Sequence, residues 1–284
     1  MRVVVLGARG MLGHVTLTVL REAGHEVIGV ARRGPTDRVL DLEDRGATRA
    51  MLREAKPDWV VNAAGRLNRA VDAAMGPAIY VNSYMPHLLA GWGAEEGFRL
   101  LHVSTDCVFE GDRGSYRVED APDATSAYGR SKALGEVVND RNLTIRTSII
   151  GPELGGIGTG LMLWFLRQKE RAPGWTRAIW TGLTTLELAR VIDAVVSNRL
   201  RASGLWQCVP AQPISKCELL RLMNEEIRAR PIAIDAVEGT AGDKSLVNDR
   251  PELWPVPDYR EMLRALRQWI DMHRSLYAGT PFAQ

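Results

Sequence analysis

The chain has 284 residues, 45% hydrophobic and 25% charged, which suits a globular protein with one large core or two joined ones. A formal net charge of +2 without runs of like charge gives no electrostatic reason to expect nucleic acid or membrane as partner. No apolar run is long enough to span a bilayer, and the chain opens directly on a strand rather than a signal peptide. Cys107, Cys208 and Cys217 are widely spaced with no C-x-x-C pair, so neither a disulfide scaffold nor a metal site is expected, and a reducing cytoplasm fits.

RVVVL, Arg2 to Leu6, reads as a buried strand. GMLGHVTLTVLREAG carries Leu12, Val15, Leu17, Val19 and Leu20 at helical spacing and stops at Gly24. HEVIGVAR reads as a second strand, EDRGATRAMLREAK as a helix ended by Pro57, and DWVVNAAG as a third strand. A helix from about Tyr80 to Glu96, a strand at Leu100–Val103, a helix over SAYGRSKALGEVVND and a strand over LTIRTSII follow. This alternation, with strands apolar throughout, predicts an α/β fold: a Rossmann-like doubly wound parallel sheet covered on both faces.

After residue 150 the pattern changes. GPELGGIGTG, residues 151–160, has five glycines in ten and reads as a loop. Helices are expected near Leu161–Gln168 and Thr184–Val196, then a short strand in GLWQCVP, a helix over SKCELLRLMNEEIRAR and a last one over PDYREMLRALRQWIDMHRSLY. The expected division is 1–150 as the dinucleotide-binding domain and 151–284 as mainly a smaller C-terminal α/β substrate lobe. Within the lobe, about 184–200 is expected to pack back on the first sheet.

Gly7, Gly10 and Gly13 stand between the first strand and its helix. The first permits a tight turn, the second lets backbone approach a pyrophosphate, and the third allows close helix–strand packing. The helix N-terminus then offers free N–H groups to phosphates. A purely structural turn is the alternative, but the position after an apolar strand favours a dinucleotide. The second strand ends in Ala31, Arg32 and Arg33, where an NAD-selective site usually has an acid. Arginine suits a 2′-phosphate, so NADP(H) is preferred with NAD(H) admitted; two solvated surface arginines are the other reading.

Tyr128 and Lys132 lie four apart on a predicted helix and so share a face. A lysine ammonium and an oxidised nicotinamide nearby are expected to lower the tyrosine's pKa toward useful acid–base chemistry. One strand earlier, STDC presents Ser104, Thr105, Asp106 and Cys107 at a strand end.

GARGMLG, VVNAAG, STDCVFEG, YGRSKALGE and IRTSIIG occur in the order and spacing of extended short-chain dehydrogenases/reductases. More narrowly, the chain resembles the dTDP-4-dehydrorhamnose reductase branch, the nucleotide-sugar 4-ketoreductases, along its whole length and most strongly over 1–151. The resemblance implies that Thr105 bonds the substrate carbonyl, Tyr128 donates the proton, and Lys132 holds the nicotinamide ribose and tunes Tyr128. It places Gly10, Met11 and Leu12 along the pyrophosphate, Asp41 and Leu42 near the adenine, and Ala63, Ala64 and Gly65 on the far side of the cofactor. Thr105, Asp106 and Val108 would border the sugar. Ile149 stands among the substrate-facing positions, where the branch usually has tryptophan.

The comparison also separates reactions. Related 4,6-dehydratases need Asp-Glu after the threonine; here the pair is Asp106-Cys107, so the second acid is missing. GDP-fucose synthase resembles this region and has a cysteine matching Cys107, which raises an epimerase-reductase alternative. Its histidine partner is absent here: after IRTSIIG no histidine occurs until His273. A third reading is a non-catalytic cofactor-binding subunit, as in the β subunit of methionine adenosyltransferase. Trp164, Trp175 and Trp180 could stack on a base or sugar, though core packing is the commoner use. The expected activity is NADPH-dependent reduction of the C4 carbonyl of a nucleotide-linked 4-keto-6-deoxyhexose, dTDP-linked or a UDP-2-acetamido-2,6-dideoxy-4-hexulose. The partner is then a nucleotide sugar, and exposed helices leave room for a homodimer.

Overall fold

The computed structural model describes residues 1–156, 158 and 160–283. The expected glycine loop at 151–160 therefore falls, at 157 and 159, outside the described residues. The chain begins with β1 (Arg2–Leu6), α1 (Met11–Glu22), β2 (Glu26–Ala31), β3 (Arg38–Val39), α2 (Arg45–Ala55) and β4 (Trp59–Asn62). Short helices α3 (Asn68–Ala73) and α4 (Met75–Ile79) lead through a π-turn, Tyr80–Tyr84, into α5 (Met85–Glu96). Then come β5 (Arg99–Val103), α6 (Ala127–Ala133), β6 (Leu143–Arg146) and β7 (Ile149–Ile150).

The second half holds α7 (Leu161–Leu166), β8 (Arg171–Trp175), β9 (Ala178–Trp180), β10 (Leu183–Thr184), α8 (Thr185–Val196) and β11 (Gly204–Gln207). It ends with β12 (Ile214–Ser215), α9 (Lys216–Glu226), β13 (Ala233–Val237), β14 (Gly242–Asp243) and α10 (Tyr259–Met272).

Seven strands form the main sheet in the order β11-β6-β5-β4-β1-β2-β3, all parallel. Val3, Val4, Val5 and Leu6 are essentially inaccessible on both faces, which explains the unbroken apolar run. Each such side chain contributes about 1.5–3 kcal/mol by burial. The chain leaves β1 toward β2 on one side and toward β4 on the other. That reversal opens a crevice at the carboxyl ends of the strands, where ligands of such sheets bind. Helix α8 packs along α1, and α10 packs on α8 and α9. Strand β11 extends the main sheet beside β6, so the second half also contributes to the first sheet.

Two elements differ from the sequence reading. The helix expected over SAYGRSKALGEVVND ends at Ala133. Gly135 sits so close to Asn82 that a Cβ there would lie 1.9 Å from its carbonyl oxygen. The chain must turn at this point to carry Glu136 inward to Arg146, with bonds of 2.9 and 2.6 Å. LTIRTSII is two strands rather than one, because β7 leaves β6 and pairs with β10. Between them, the Ser148 carbonyl accepts from the Leu183 amide at 2.9 Å.

Candidate active site

The glycine turn is built as its spacing requires. Gly7 has φ +79, and a Cβ on it would lie 2.8 Å from the Ala64 backbone. A Cβ on Gly13 would lie 2.0 Å from the Gly7 carbonyl oxygen. Both positions need glycine, Gly7 for backbone conformation and space, Gly13 for space alone. The groove above is lined by Gly7, Gly10, Arg32, Arg33, Asp41, Leu42, Ala63, Ala64 and Gly65, nine of the cofactor positions expected from sequence, together with Ala31. Its floor is bare backbone and its outer end carries exposed guanidiniums, a donor set that fits the phosphates of a dinucleotide.

Three expected positions lie elsewhere. Leu12 is buried in the core, and Gly13 serves helix–strand packing. Met11 reaches toward Gly160. Sequence reasoning missed two arginines of this groove, Arg9 and Arg66. Arg9 bonds the Pro35 carbonyl at 3.1 Å, and Arg66 pairs with Glu43. The wall is fastened by Asn82 from the π-turn. Its carboxamide accepts from the Arg66 amide at 2.8 Å and donates to the Arg66 carbonyl at 2.9 Å and to Ser131 Oγ at 3.0 Å.

Thr105, Tyr128 and Lys132 converge beside this groove. Thr105 follows β5 and caps a short 3₁₀ turn: its Oγ1 accepts from the Cys107 amide at 3.1 Å and donates to Asp106 Oδ1 at 3.0 Å. Tyr128 stands close enough for the same hydroxyl to act on its phenol. Ser126 caps α6, and the helical spacing then sets Tyr128 and Lys132 on one side. Lys132 Nζ donates to the Val103 carbonyl at 2.8 Å and lies 3.3 Å from His102 Nε2. His102 is fully buried, and burial together with the Lys132 charge keeps its ring neutral, so it can face the ammonium. The Asn62 amide lies 3.2 Å from the other ring nitrogen.

Burial lowers Lys132 to about 8, opposed by the charge of Glu136. Glu136 is itself bonded by Ser104 Oγ at 2.6 Å and by Arg146. Sequence reasoning singled out neither Glu136 nor Arg146. The signal was an acid and a base in an apolar setting, since Arg146 falls in a buried strand.

Tyr128 shifts opposite to expectation. In the chain alone burial raises its pKa, with the nearby Cys107 and Asp106 adding to the rise and the Thr105 hydroxyl opposing it. A protonated phenol is the form needed to give a proton away. Cys107 is pushed up to about 12 by burial and by Asp106, so its thiol keeps its proton at neutral pH and is no base. Asp106 is raised by burial, against Lys216 and the Thr105 hydrogen bond.

One substrate position, Val108, differs from the sequence reading. The Val108 side chain is fully buried in a cluster with Phe109, Tyr116, Val209 and Leu246, so it packs the core rather than bordering a ligand. Ile149 pairs with Leu183 and packs partly against the main core. Among the tryptophans, Trp180 is buried, whereas Trp164 and Trp175 are exposed.

Glycine turn, dinucleotide groove, Tyr-x-x-x-Lys helix and strand-end threonine together define the extended short-chain dehydrogenase/reductase class. Within it, residues 1–252 match the family described as RmlD substrate binding domain, and the chain belongs to that family. The chain is 29% identical to a dTDP-4-keto-6-deoxy-D-glucose reductase of Streptomyces niveus, over 84% of each chain. It is 31% identical to a probable low-salt glycan biosynthesis reductase of Haloferax volcanii, over 76% of this chain and 79% of that one. A dTDP-4-dehydrorhamnose reductase structure from Bacillus anthracis, in complex with NADP, shares the fold with TM-score 0.79 at 20% identity, covering 93% of this chain and 98% of that one. No helix among the described residues is long and apolar enough to cross a membrane.

Proposed function

We propose that this chain reduces the C4 carbonyl of a nucleotide-linked 4-keto-6-deoxyhexose, with NADPH as the reductant. It is an oxidoreductase of the sugar-nucleotide 4-ketoreductase kind. The observation that carries the reading is the Thr105 hydroxyl brought together with the Tyr128 phenol and Lys132 beside a groove that fits a dinucleotide. Two hydroxyls so placed can hold one carbonyl oxygen between them. Tyr128, protonated at neutral pH, gives its proton to that oxygen as it becomes an alkoxide. Lys132, anchored on the Val103 carbonyl, sets a positive charge at the next turn of the helix and is the group positioned for the ribose hydroxyls. The bound nicotinamide supplies the hydride.

Arg32 and Arg33 support NADPH over NADH, and the complex of the Bacillus anthracis protein with NADP agrees with that choice. The names of the relatives support a dTDP- or UDP-linked sugar. We assign cofactor binding mainly to residues 1–150 and the substrate wall mainly to 151–284. A protonated Cys107 thiol favours simple reduction over epimerisation. The test is NADPH consumption with a panel of dTDP-, UDP- and GDP-linked 4-keto-6-deoxy sugars. The expected result is turnover with at least one dTDP- or UDP-linked member, and its loss in Tyr128→Phe. Turnover that survives this substitution, or deuterium from solvent water appearing at C3 or C5 of the product, sinks the proposal.

A further inference from the structure

Lys216 and Lys244 lie far apart in sequence, yet Ser215 and Asp243, the residues just before them, both pair with Ile179 from opposite sides of β9, and both lysine charges act on Asp106, next to Thr105. Lys216 is the first residue of α9, directly after the Ser215 cap. Lys244 follows β14, and its stem lies over Gly111, where a Cβ would meet its Cγ at 2.8 Å. Among the described residues, neither ammonium has a hydrogen bond or an ion pair. Lys216 Nζ lies over the face of Trp180, 5.3 Å from the ring centroid.

That placement is costly. A cation in the first turn of a helix opposes the positive end of the helix dipole. Lys216 is also half-buried, and the loss of water lowers its pKa, against the pull of Asp106 and Cys107. The Asp106 carboxylate, which takes the Thr105 hydroxyl at 3.0 Å, attracts Lys216 but makes no ion pair with it. Other buried cations of this chain are matched: Arg146 by Glu136 at 2.6 Å, and Lys132 by the Val103 carbonyl at 2.8 Å. An ammonium held against the dipole of its own helix, with no hydrogen-bond or ion-pair partner among the described residues, as Lys216 is, waits for a ligand.

We propose that Lys216 and Lys244 form a cationic seat for an oxyanion of the substrate, beyond the Thr105–Tyr128 pair. The proposal rests on the nucleotide-sugar reading and deepens it. In a nucleotide-linked 4-keto-6-deoxyhexose such an oxyanion is carried by the diphosphate, since C6 of the sugar is a methyl group. Lys216 and Lys244 act in recognition, touching the ligand away from the reacting carbon. Trp180 supplies the surface against which Lys216 is held.

The experiment compares wild type with Lys216→Met, Lys244→Met and Lys216→Arg, all loaded with NADPH. Calorimetry measures binding of dTDP, UDP, UDP-glucose and UDP-glucuronate. If the seat takes the diphosphate, each methionine variant weakens every ligand by about tenfold or more, the loss of one charge-assisted bond. If only UDP-glucuronate weakens while dTDP, UDP and UDP-glucose bind as before, the lysines meet a carboxylate that a 6-deoxyhexose lacks, and the proposal is overturned. In turnover the loss falls on KM more than on kcat, NADPH affinity is unchanged, and Lys216→Arg recovers most of the binding. Wild-type binding that both methionine variants preserve, or an arginine variant as weak as the methionine one, overturns this proposal alone. A wild type that binds none of the four ligands overturns the functional reading together with it.

Discussion

The two sides of the candidate site are built differently. The side made by β4, β5 and α6 is closed within itself: Lys132 is held by Val103 and His102, Ser104 and Arg146 by Glu136. The side made by α9 and the segment after β14 presents Lys216 and Lys244 with no bonding partner among the described residues. Chemistry common to many substrates can be fixed in advance, so its groups can be fully bonded before any ligand arrives. Recognition of one substrate requires groups whose partners come with it.

The strongest test of the closed side is Tyr128→Phe. It should lower kcat about 10³-fold, the usual scale for a general acid, while NADPH still binds. Thr105→Val removes one hydroxyl from the carbonyl oxygen and should cost about 10²-fold in kcat, measured with saturating cofactor. Glu136→Gln leaves Arg146, with 2% of its side chain exposed, without its counter-charge. A loss of about 3 kcal/mol in denaturant-measured stability is expected. A second effect should accompany it, because Glu136 is the charge that supports Lys132. The alkaline fall in activity should therefore begin at lower pH in the variant.

Arg32→Ala with Arg33→Ala should reduce the NADPH-to-NADH preference about tenfold, read from the two kcat/KM values. An unchanged ratio would show that these arginines are surface groups only. The smallest effect concerns stability and pH. Lys132 is lowered from 10.5 to about 8 in the folded chain, so between those values the unfolded chain binds more protons at this group. Its contribution to stability must improve as pH rises through that window, while activity that needs the ammonium declines. Melting curves of wild type and Lys132→Met across the window should show wild type gaining relative to the variant. Parallel curves would mean that Lys132 keeps its ordinary affinity for protons.

The closed side was also the readable one. Apolar runs such as RVVVL marked the strands because both faces are covered, and helical spacing joined Tyr128 to Lys132. Reading failed where a distant backbone decides a local turn. Nothing in ALGEVVN shows that Gly135 must fit against Asn82, so the helix was expected to run on. Nothing in IRTSII shows that Ser148 will bond Leu183. The family pattern named Val108 by its place after the threonine, but only packing against Phe109 and Leu246 shows that its side chain faces inward. Lys216 and Lys244 carry no motif, and only the meeting of α9 with the strand-end turn gives them a role.

The wide turn at Tyr80–Tyr84 has a mechanical meaning. Through one carboxamide, Asn82 grips both backbone groups of Arg66 and the hydroxyl of Ser131, next to Lys132. Ser83 adds a bond to the Ser131 carbonyl at 2.7 Å. The groove wall and the catalytic helix are thus joined by a stiff strut that bypasses the sheet. Any displacement of Arg66 would therefore be felt by the helix carrying Tyr128 through hydrogen bonds alone.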